Sequence, residues 1–299
     1  MKRRKNPLLE RAEYAVYRMA RALLGGMSDA AVQRWGSRLG AASAVLIRKR
    51  DRMAMRNLRL AFPHEPEHEL RRILDACWRH MGREVAAHVK AQTFTREEIL
   101  SRCDVTGKEL VDESVARGKG TIIMTAHFGS WEIAGLATSA LIPNIKTIYR
   151  PLDNRLLERD LARLRETTGL VVIDRKGAAR ELMRTLSENG IIGLLPDQAV
   201  LPREGVLATF MGRKAWTTPL PAKLALRHGS TIVFVFCIPD GLRYRLRFEE
   251  PIRADELSEA ERDPVALTER INDVISRQIR ARPELWLWMH DRWKGTGNG

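Results

Sequence analysis

Cysteine is scarce and scattered in this chain: Cys77, Cys103 and Cys237 are odd in number, far apart and without a Cys-x-x-Cys pair. This excludes a disulfide framework and a cysteine-based zinc site, and it fits a reducing compartment. Aromatic residues make up only 6% of the sequence, with no Gly-rich RNA-binding signature and no zinc finger, so nucleic-acid binding has little support. Long apolar runs are missing. No window approaches the roughly 20 apolar residues that span a bilayer, and no signal-peptide core with a small-residue cleavage site is recognisable. A chain neither secreted nor membrane-spanning is expected. Acidic residues are outnumbered, 37 Asp and Glu against 51 Lys and Arg, for a formal net charge of +14. That excess implies an anionic partner, whether nucleic acid, an acidic lipid surface or a phosphorylated substrate, and does not choose among them. The 299 residues, 44% of them hydrophobic, suffice for one large core or two modest ones.

What is present begins with a basic lead, Lys2 to Lys5. Leu8, Leu9, Ala12, Ala15, Val16, Met19, Ala20, Leu23 and Leu24 follow on one helical stripe, with Arg11, Arg18 and Arg21 off it. A second helix is suggested by Val32, Trp35, Leu39, Ala42 and Leu46, ending in Arg48-Lys49-Arg50. Such helices either cover the core or lie in a membrane interface. The basic runs favour the membrane, since each Lys or Arg near an anionic leaflet contributes about 1 kcal/mol. Residues 1–50 therefore read as an amphipathic membrane-associating segment, and 51–299 as the domain that carries the chemistry.

His64-Glu65-Pro66-Glu67-His68 matches the zinc-protease pattern His-Glu-x-x-His letter for letter. That chemistry needs both histidines on one continuous helix, whereas Pro66 pushes Glu65 out of helical geometry, so the match is coincidental. Glu69 to Lys90 reads as a helix whose Leu70, Ile73, Leu74, Cys77, Met81, Val85 and Val89 face the core. His80, Glu84 and His88 recur on another face, read as solvated or groove-facing rather than as a metal or proton path. Thr95-Arg-Glu-Glu is a capping signal. From residue 121 strands and helices alternate: strands at 121–126, 145–150, 170–173, 191–195, 231–237 and 243–249, helices near 131–140, 154–168, 177–189 and 217–228. The predicted fold is α/β, a mostly parallel central sheet with flanking crossover helices, allowing an antiparallel edge. Ligands bind such sheets beyond the carboxyl ends of the strands.

One stretch places chemistry there. Thr121 to Ala126 is a β-branched apolar run, His127 leaves its end, Gly129-Ser130 turns the chain and caps a helix, and Glu132 returns in the first helical turn. An imidazole and a carboxylate four residues apart suit a general base whose other ring nitrogen is held by an acid. Backbone N–H groups of Gly129, Ser130 and Trp131 at the helix start are candidate donors to a developing oxyanion. Ser130 lacks the Gly-x-Ser-x-Gly setting of a nucleophile.

The same residues, Lys119-Gly120-Thr121 through His127-Phe128-Gly129-Ser130-Trp131-Glu132, resemble the His-x4-Asp/Glu motif of glycerolipid acyltransferases, in the form used by the lipid A lauroyl/myristoyl acyltransferase family. Further blocks resemble that family in its order from about Arg56 to Lys294: Arg56-Asn57-Leu58 to Phe62-Pro63, Tyr149-Arg150-Pro151, Asp197-Gln198, Phe210-Met211-Gly212 and the closing Pro283-Glu284-Leu285-Trp286-Leu287-Trp288-Met289-His290-Asp291-Arg292-Trp293-Lys294, whose Trp residues read as core or interface packing. The resemblance implies a glycerol-3-phosphate acyltransferase-like domain over 51–299, with His127 and Glu132 catalytic. Gly129, Ser130, Arg150, Asp197 and Gln198 are then substrate-binding, Arg150 through a phosphate oxygen, while helix capping remains an alternative for Asp197. It implies transfer of a fatty acyl group, without acyl-enzyme, from an acyl carrier protein or CoA thioester to a hydroxyl of an anionic lipid: a lipid A precursor-like acceptor or a lysophospholipid. No cofactor, metal or nucleic acid is expected, and the implied location is peripheral, on the cytoplasmic face of the bacterial inner membrane. The first helix departs from the family's more hydrophobic one, because Arg18 and Arg21 interrupt it. The alternatives are a basic membrane- or nucleic-acid-binding protein with a degenerate site, and an acyl thioesterase on the same scaffold.

Overall fold

The computed structural model describes residues 7–149, 151–174 and 177–296. The basic lead Lys2 to Lys5 and Arg150 lie outside the described residues.

Four helices come first: α1 (Pro7–Gly26), α2 (Asp29–Leu46), α3 (Arg48–Ala61) and α4 (Glu67–Ala91). The basic run that was expected to end the second helix starts a new one, because Ile47 leaves helical geometry at φ −105° and ψ 52°. Pro66 is extended and precedes α4, so His64 and His68 share no continuous helix. Among the described residues no three or more His, Cys, Asp or Glu side chains are grouped so as to hold a metal ion. α2 lies backbone to backbone on α4. A Cβ at Gly40 would meet the Trp78 carbonyl at 2.1 Å, and one at Gly82 would meet the Gly36 carbonyl at 2.1 Å. Only glycine allows that approach. The outward side of this helical layer stays apolar, with Leu8, Val16, Met19, Leu23, Trp35, Leu39, Val45 and Leu46 all exposed. No described helix is long and apolar enough to cross a membrane.

The remainder alternates strand and helix. α5 (Arg96–Ser101), opened by the predicted Thr95/Glu98 capping box, leads through β1 (Cys103–Thr106) and α6 (Glu109–Ala116) to β2 (Thr121–Met124). Then come α7 (Trp131–Leu141), β3 (Lys146–Tyr149), α8 (Arg155–Thr168), β4 (Val171–Asp174), α9 (Ala178–Ser187) and β5 (Ile191–Leu194). A hairpin of β6 (Val206–Phe210) and β7 (Arg213–Thr217) precedes α10 (Leu220–His228), the long pair β8 (Thr231–Asp240) and β9 (Arg243–Arg253), and α11 (Pro264–Ala281).

Seven strands form one sheet in the order β1-β9-β8-β2-β5-β3-β4. β2, β3, β4, β5 and β8 run parallel, and β9 runs antiparallel to β8. The antiparallel strand is not the edge: β1 adds outside it, parallel to β9. The fold is the expected α/β sheet, and β2 is buried along its whole length, as an unbroken apolar run in a covered parallel sheet should be. One core fills the face under α4, α9, α10 and α11, where Phe210, Phe234, Phe236, Trp286 and Trp288 pack together. The other lies between the sheet and α5, α6, α7 and α8.

Candidate active site

β2 and β5 are neighbours in parallel register, with Met124 beside Leu194. His127 and Asp197 each lie three residues past that pair, so the two chain ends leave the sheet side by side. The His127 ring donates from Nδ1 to Asp197 Oδ1 at 2.9 Å, and its backbone N–H donates to Asp197 Oδ2 at 3.0 Å. The Trp286 indole N–H donates to the same Oδ2 at 2.9 Å. Asp197 is 1% exposed, so three donors surround a carboxylate removed from water. Burial alone would raise its pKa, yet the charge and hydrogen bonds of His127 and the Trp286 indole hold it below the usual carboxylate range. For His127 burial pulls the other way, but the Asp197 charge and hydrogen bond, aided by Glu132, leave its pKa above the ordinary imidazole value. With Nδ1–H given to Asp197, the opposite nitrogen Nε2 is the basic one. The Gln198 amide donates to it at 3.2 Å.

The C-terminal segment holds this arrangement from behind. Leu287 N–H donates to the His127 carbonyl at 3.0 Å, and Gly129 N–H donates to the Leu285 carbonyl at 2.9 Å. Asn57 of α3 donates to the carbonyls of Trp288 and His290 at 2.8 and 2.6 Å. The His290 ring accepts the Ala199 N–H at 2.9 Å, steadying the loop that carries Asp197 and Gln198. On the other side the chain turns sharply at Gly129, whose φ is +60° and where a Cβ would stand 2.2 Å from the Cys237 carbonyl of β8. Glycine is required there on both counts.

Residues 3–295 match the family described as bacterial lipid A biosynthesis acyltransferase. The chain belongs to that family. The lipid A biosynthesis lauroyltransferase of Escherichia coli K12 is 27% identical to this acyltransferase over 273 residues, covering 90% of this chain and 87% of the relative. The phosphatidylinositol mannoside acyltransferase of Mycobacterium tuberculosis H37Rv is 24% identical over 207 residues, 67% of this chain and 64% of the relative. The solved 1-acyl-sn-glycerophosphate acyltransferase of Thermotoga maritima superposes with a TM-score of 0.40 at 15% identity, over 68% of this chain and 83% of that one.

Several expectations about the acyltransferase's site residues need correction. Glu132 is not the hydrogen-bonded partner of His127; that place belongs to Asp197. The helix start carries Glu132 outward, half-exposed, with its Oε2 3.9 Å from His88 Nδ1, and it acts on His127 only through space. Asp197 caps no helix: its acceptor capacity goes to His127 and Trp286. Gly129 and Ser130 are buried, and their N–H groups are taken by the carbonyls of Leu285 and Cys237, so neither is a free oxyanion donor. Ser130 occupies the cap position without a side-chain cap bond. The predicted phosphate-binding Arg150 lies outside the described residues.

The His80, Glu84, His88 face is solvated only at its far end, where His88 stays 22% exposed beside Glu132. His80 and Glu84 are buried between α4 and the catalytic turn: His80 Nε2–H donates to the Gly129 carbonyl at 3.2 Å, and His80 Nδ1 is 3.7 Å from Glu84 Oε1. Burial keeps His80 neutral, its pKa pushed down to about 3. Burial also pushes Glu84 up to about 8, against the opposing contact with Ser130, so its carboxyl is protonated at neutral pH. Neutral, buried His80 and Glu84 therefore support the turn that presents His127. Neither Trp286 nor His290 was expected at the site, although the closing Trp-rich block was the signal that could have found them.

Proposed function

We propose that this acyltransferase moves a fatty acyl group from an acyl carrier protein or CoA thioester to a hydroxyl of a lipid A precursor-like or related glycolipid or lysophospholipid acceptor, with His127 as general base. The observation that carries the reading is the ring of His127, held at Nδ1 by buried Asp197, which leaves the basic Nε2 on the opposite edge of a ring that remains 23% exposed. The acceptor hydroxyl takes the place of the Gln198 amide at Nε2. As its oxygen attacks the thioester carbonyl, its proton passes to His127, and buried Asp197 stabilises the imidazolium. Collapse of the tetrahedral intermediate breaks the C–S bond and leaves the C–O bond, and the proton on His127 is delivered to the departing sulfur. The carbonyl oxygen needs donors, which at this turn come from the first helical turn beginning at Trp131. The half-buried Trp131 ring, with its centroid 5.8 Å from that of His127, forms one wall. Ser130 supports direct transfer: its hydroxyl is buried beside Glu84 and is no partner of His127.

The apolar outer faces of α1 and α2 and the net charge of +14 favour a peripheral position on an anionic leaflet, where donor and acceptor meet. A labelled acyl-carrier thioester and, separately, acyl-CoA are incubated with the protein, with and without lipid A precursor, lysophospholipid and phosphatidylinositol mannoside. Label in lipid ester only when an acceptor is present is the expected outcome. Free fatty acid released at the same rate with or without acceptor would replace transfer by hydrolysis.

A further inference from the structure

We propose that the cleft between α1 and α8 is a binding site for a phosphate ester, separate from the site at His127. The cleft measures about 430 Å³, within the size range of small-ligand sites. Its walls bring Tyr14, Arg18 and Arg21 from α1 against Arg159, Asp160 and Arg163 from α8. Four guanidinium groups against one carboxylate leave a local charge of +3. That one carboxylate is already engaged: Asp160 is buried, accepts from the Tyr14 hydroxyl at 3.1 Å and lies 3.9 Å from Arg21 Nη1. Arg18, Arg159 and Arg163 have no carboxylate partner among the described residues, although elsewhere on this surface arginines are commonly paired with acids, as Arg59 is with Glu67 and Arg117 with Asp255.

Three unpaired like charges around one concavity repel each other, and an anion relieves that repulsion. Guanidinium forks match the oxygens of a phosphate bidentately, and several converging forks suit a phosphate monoester better than a single carboxylate. The predominantly polar lining does not suit an acyl chain. The source of the phosphate follows from the helix that forms one wall. α1 turns its arginines toward the cleft while Leu8, Val16, Met19 and Leu23 remain exposed. An interfacial helix with this division sinks its apolar face to the acyl boundary and leaves its basic face at headgroup level. A lipid headgroup phosphate is thus the favoured occupant, and a soluble phosphate ester such as CoA presents the same chemistry.

Binding is read without turnover, so this inference and the proposed reaction fail separately. The full chain is titrated with phosphatidylcholine vesicles containing or lacking phosphatidic acid, and with CoA alone. The Arg18→Gln/Arg159→Gln/Arg163→Gln protein is compared with a control in which the exposed Arg270, Arg277 and Arg280 of α11 are changed to Gln, so both lose the same charge. The cleft variant is expected to bind phosphatidic acid vesicles at least ~10-fold more weakly than the wild type and the α11 control, with equal binding of pure phosphatidylcholine. A comparable loss seen with CoA instead of vesicles keeps the site and assigns it a soluble ligand. Equal losses in both triple variants, or no loss in either assay, overturn the proposal. On the unaltered protein, inorganic pyrophosphate raises the melting temperature above that in sodium chloride of matched ionic strength; no difference between the two salts also overturns it.

Discussion

Replacing Asp197 by Asn separates a positioned base from a histidine that merely lies near an acid. The carboxylate accepts three N–H groups: Oδ2 takes the His127 main chain and the Trp286 indole, and Oδ1 takes the His127 ring. Asparagine fits the same volume with one acceptor oxygen. If that oxygen keeps the two donors now on Oδ2, the amide NH2 faces His127 Nδ1, and the ring must carry its proton on Nε2, where the acceptor hydroxyl needs a lone pair. Loss of the working tautomer in a comparable triad costs about 10⁴ in kcat, and removal of a general base at least about 10², so a drop between these is expected at the pH optimum. The variant also loses the charge which, with the Asp197 hydrogen bond and Glu132, outweighs burial and raises the His127 pKa. A base works only when deprotonated, so wild-type activity falls as pH drops through that raised value, and in Asp197→Asn the acid limb moves to lower pH. Initial transfer rates across pH, with ¹⁵N spectra of the histidine ring to read the tautomer, measure both effects. An unmoved acid limb with kcat within about threefold of wild type would refute the reasoning.

Trp286→Phe keeps most of the ring packing and removes one donor to a buried carboxylate; urea unfolding should show a loss of about 1.5–3 kcal/mol, with kcat lowered as Asp197 loosens. Glu84 holds its proton in the folded state up to about pH 8 and in the unfolded chain only to its ordinary value. Its contribution to stability is therefore present at acid pH and declines as pH rises toward 8, by about 1.4 kcal/mol per pH unit at most, and Glu84→Gln should flatten that decline in urea melts between pH 5 and pH 9. Gly129→Ala places a Cβ 2.2 Å from a carbonyl at a φ of +60°, so the yield of folded protein should collapse, and wild-type expression and melting temperature would contradict the close approach.

The sheet was legible because its strands are apolar, β-branched runs set apart by amphipathic helices, and β2 and β5 both lie within the segments expected. β1 and the hairpin were not. Cys103–Thr106 has one buried position and no apolar run, and β6 and β7 alternate around charged Arg213 and Lys214. His127, Asp197 and Gln198 were each recognised, but their relation was not, because the partner of His127 is 70 residues away in sequence and adjacent only through strand pairing. The nearby Glu132 fitted the motif spacing better than the space, since helix α7 turns its side chain outward toward His88. The stripe of His80, Glu84 and His88 was visible as a period, but the burial of His80 and Glu84 was not, because which face of α4 meets the sheet depends on the glycine contact with α2. Trp286 was expected to be core packing, and it is, but its indole N–H also reaches Asp197, a direction that composition does not encode.

The central claim is that the Asp197-held imidazole of His127 draws the proton from a lipid hydroxyl during acyl transfer. Its most direct test is single-turnover transfer of labelled acyl thioester to a lipid acceptor by the wild type and by His127→Ala, both shown folded by their melting curves. A loss of at least about 10² in the rate of ester formation is predicted for the variant, and ester formation at the wild-type rate would contradict the account.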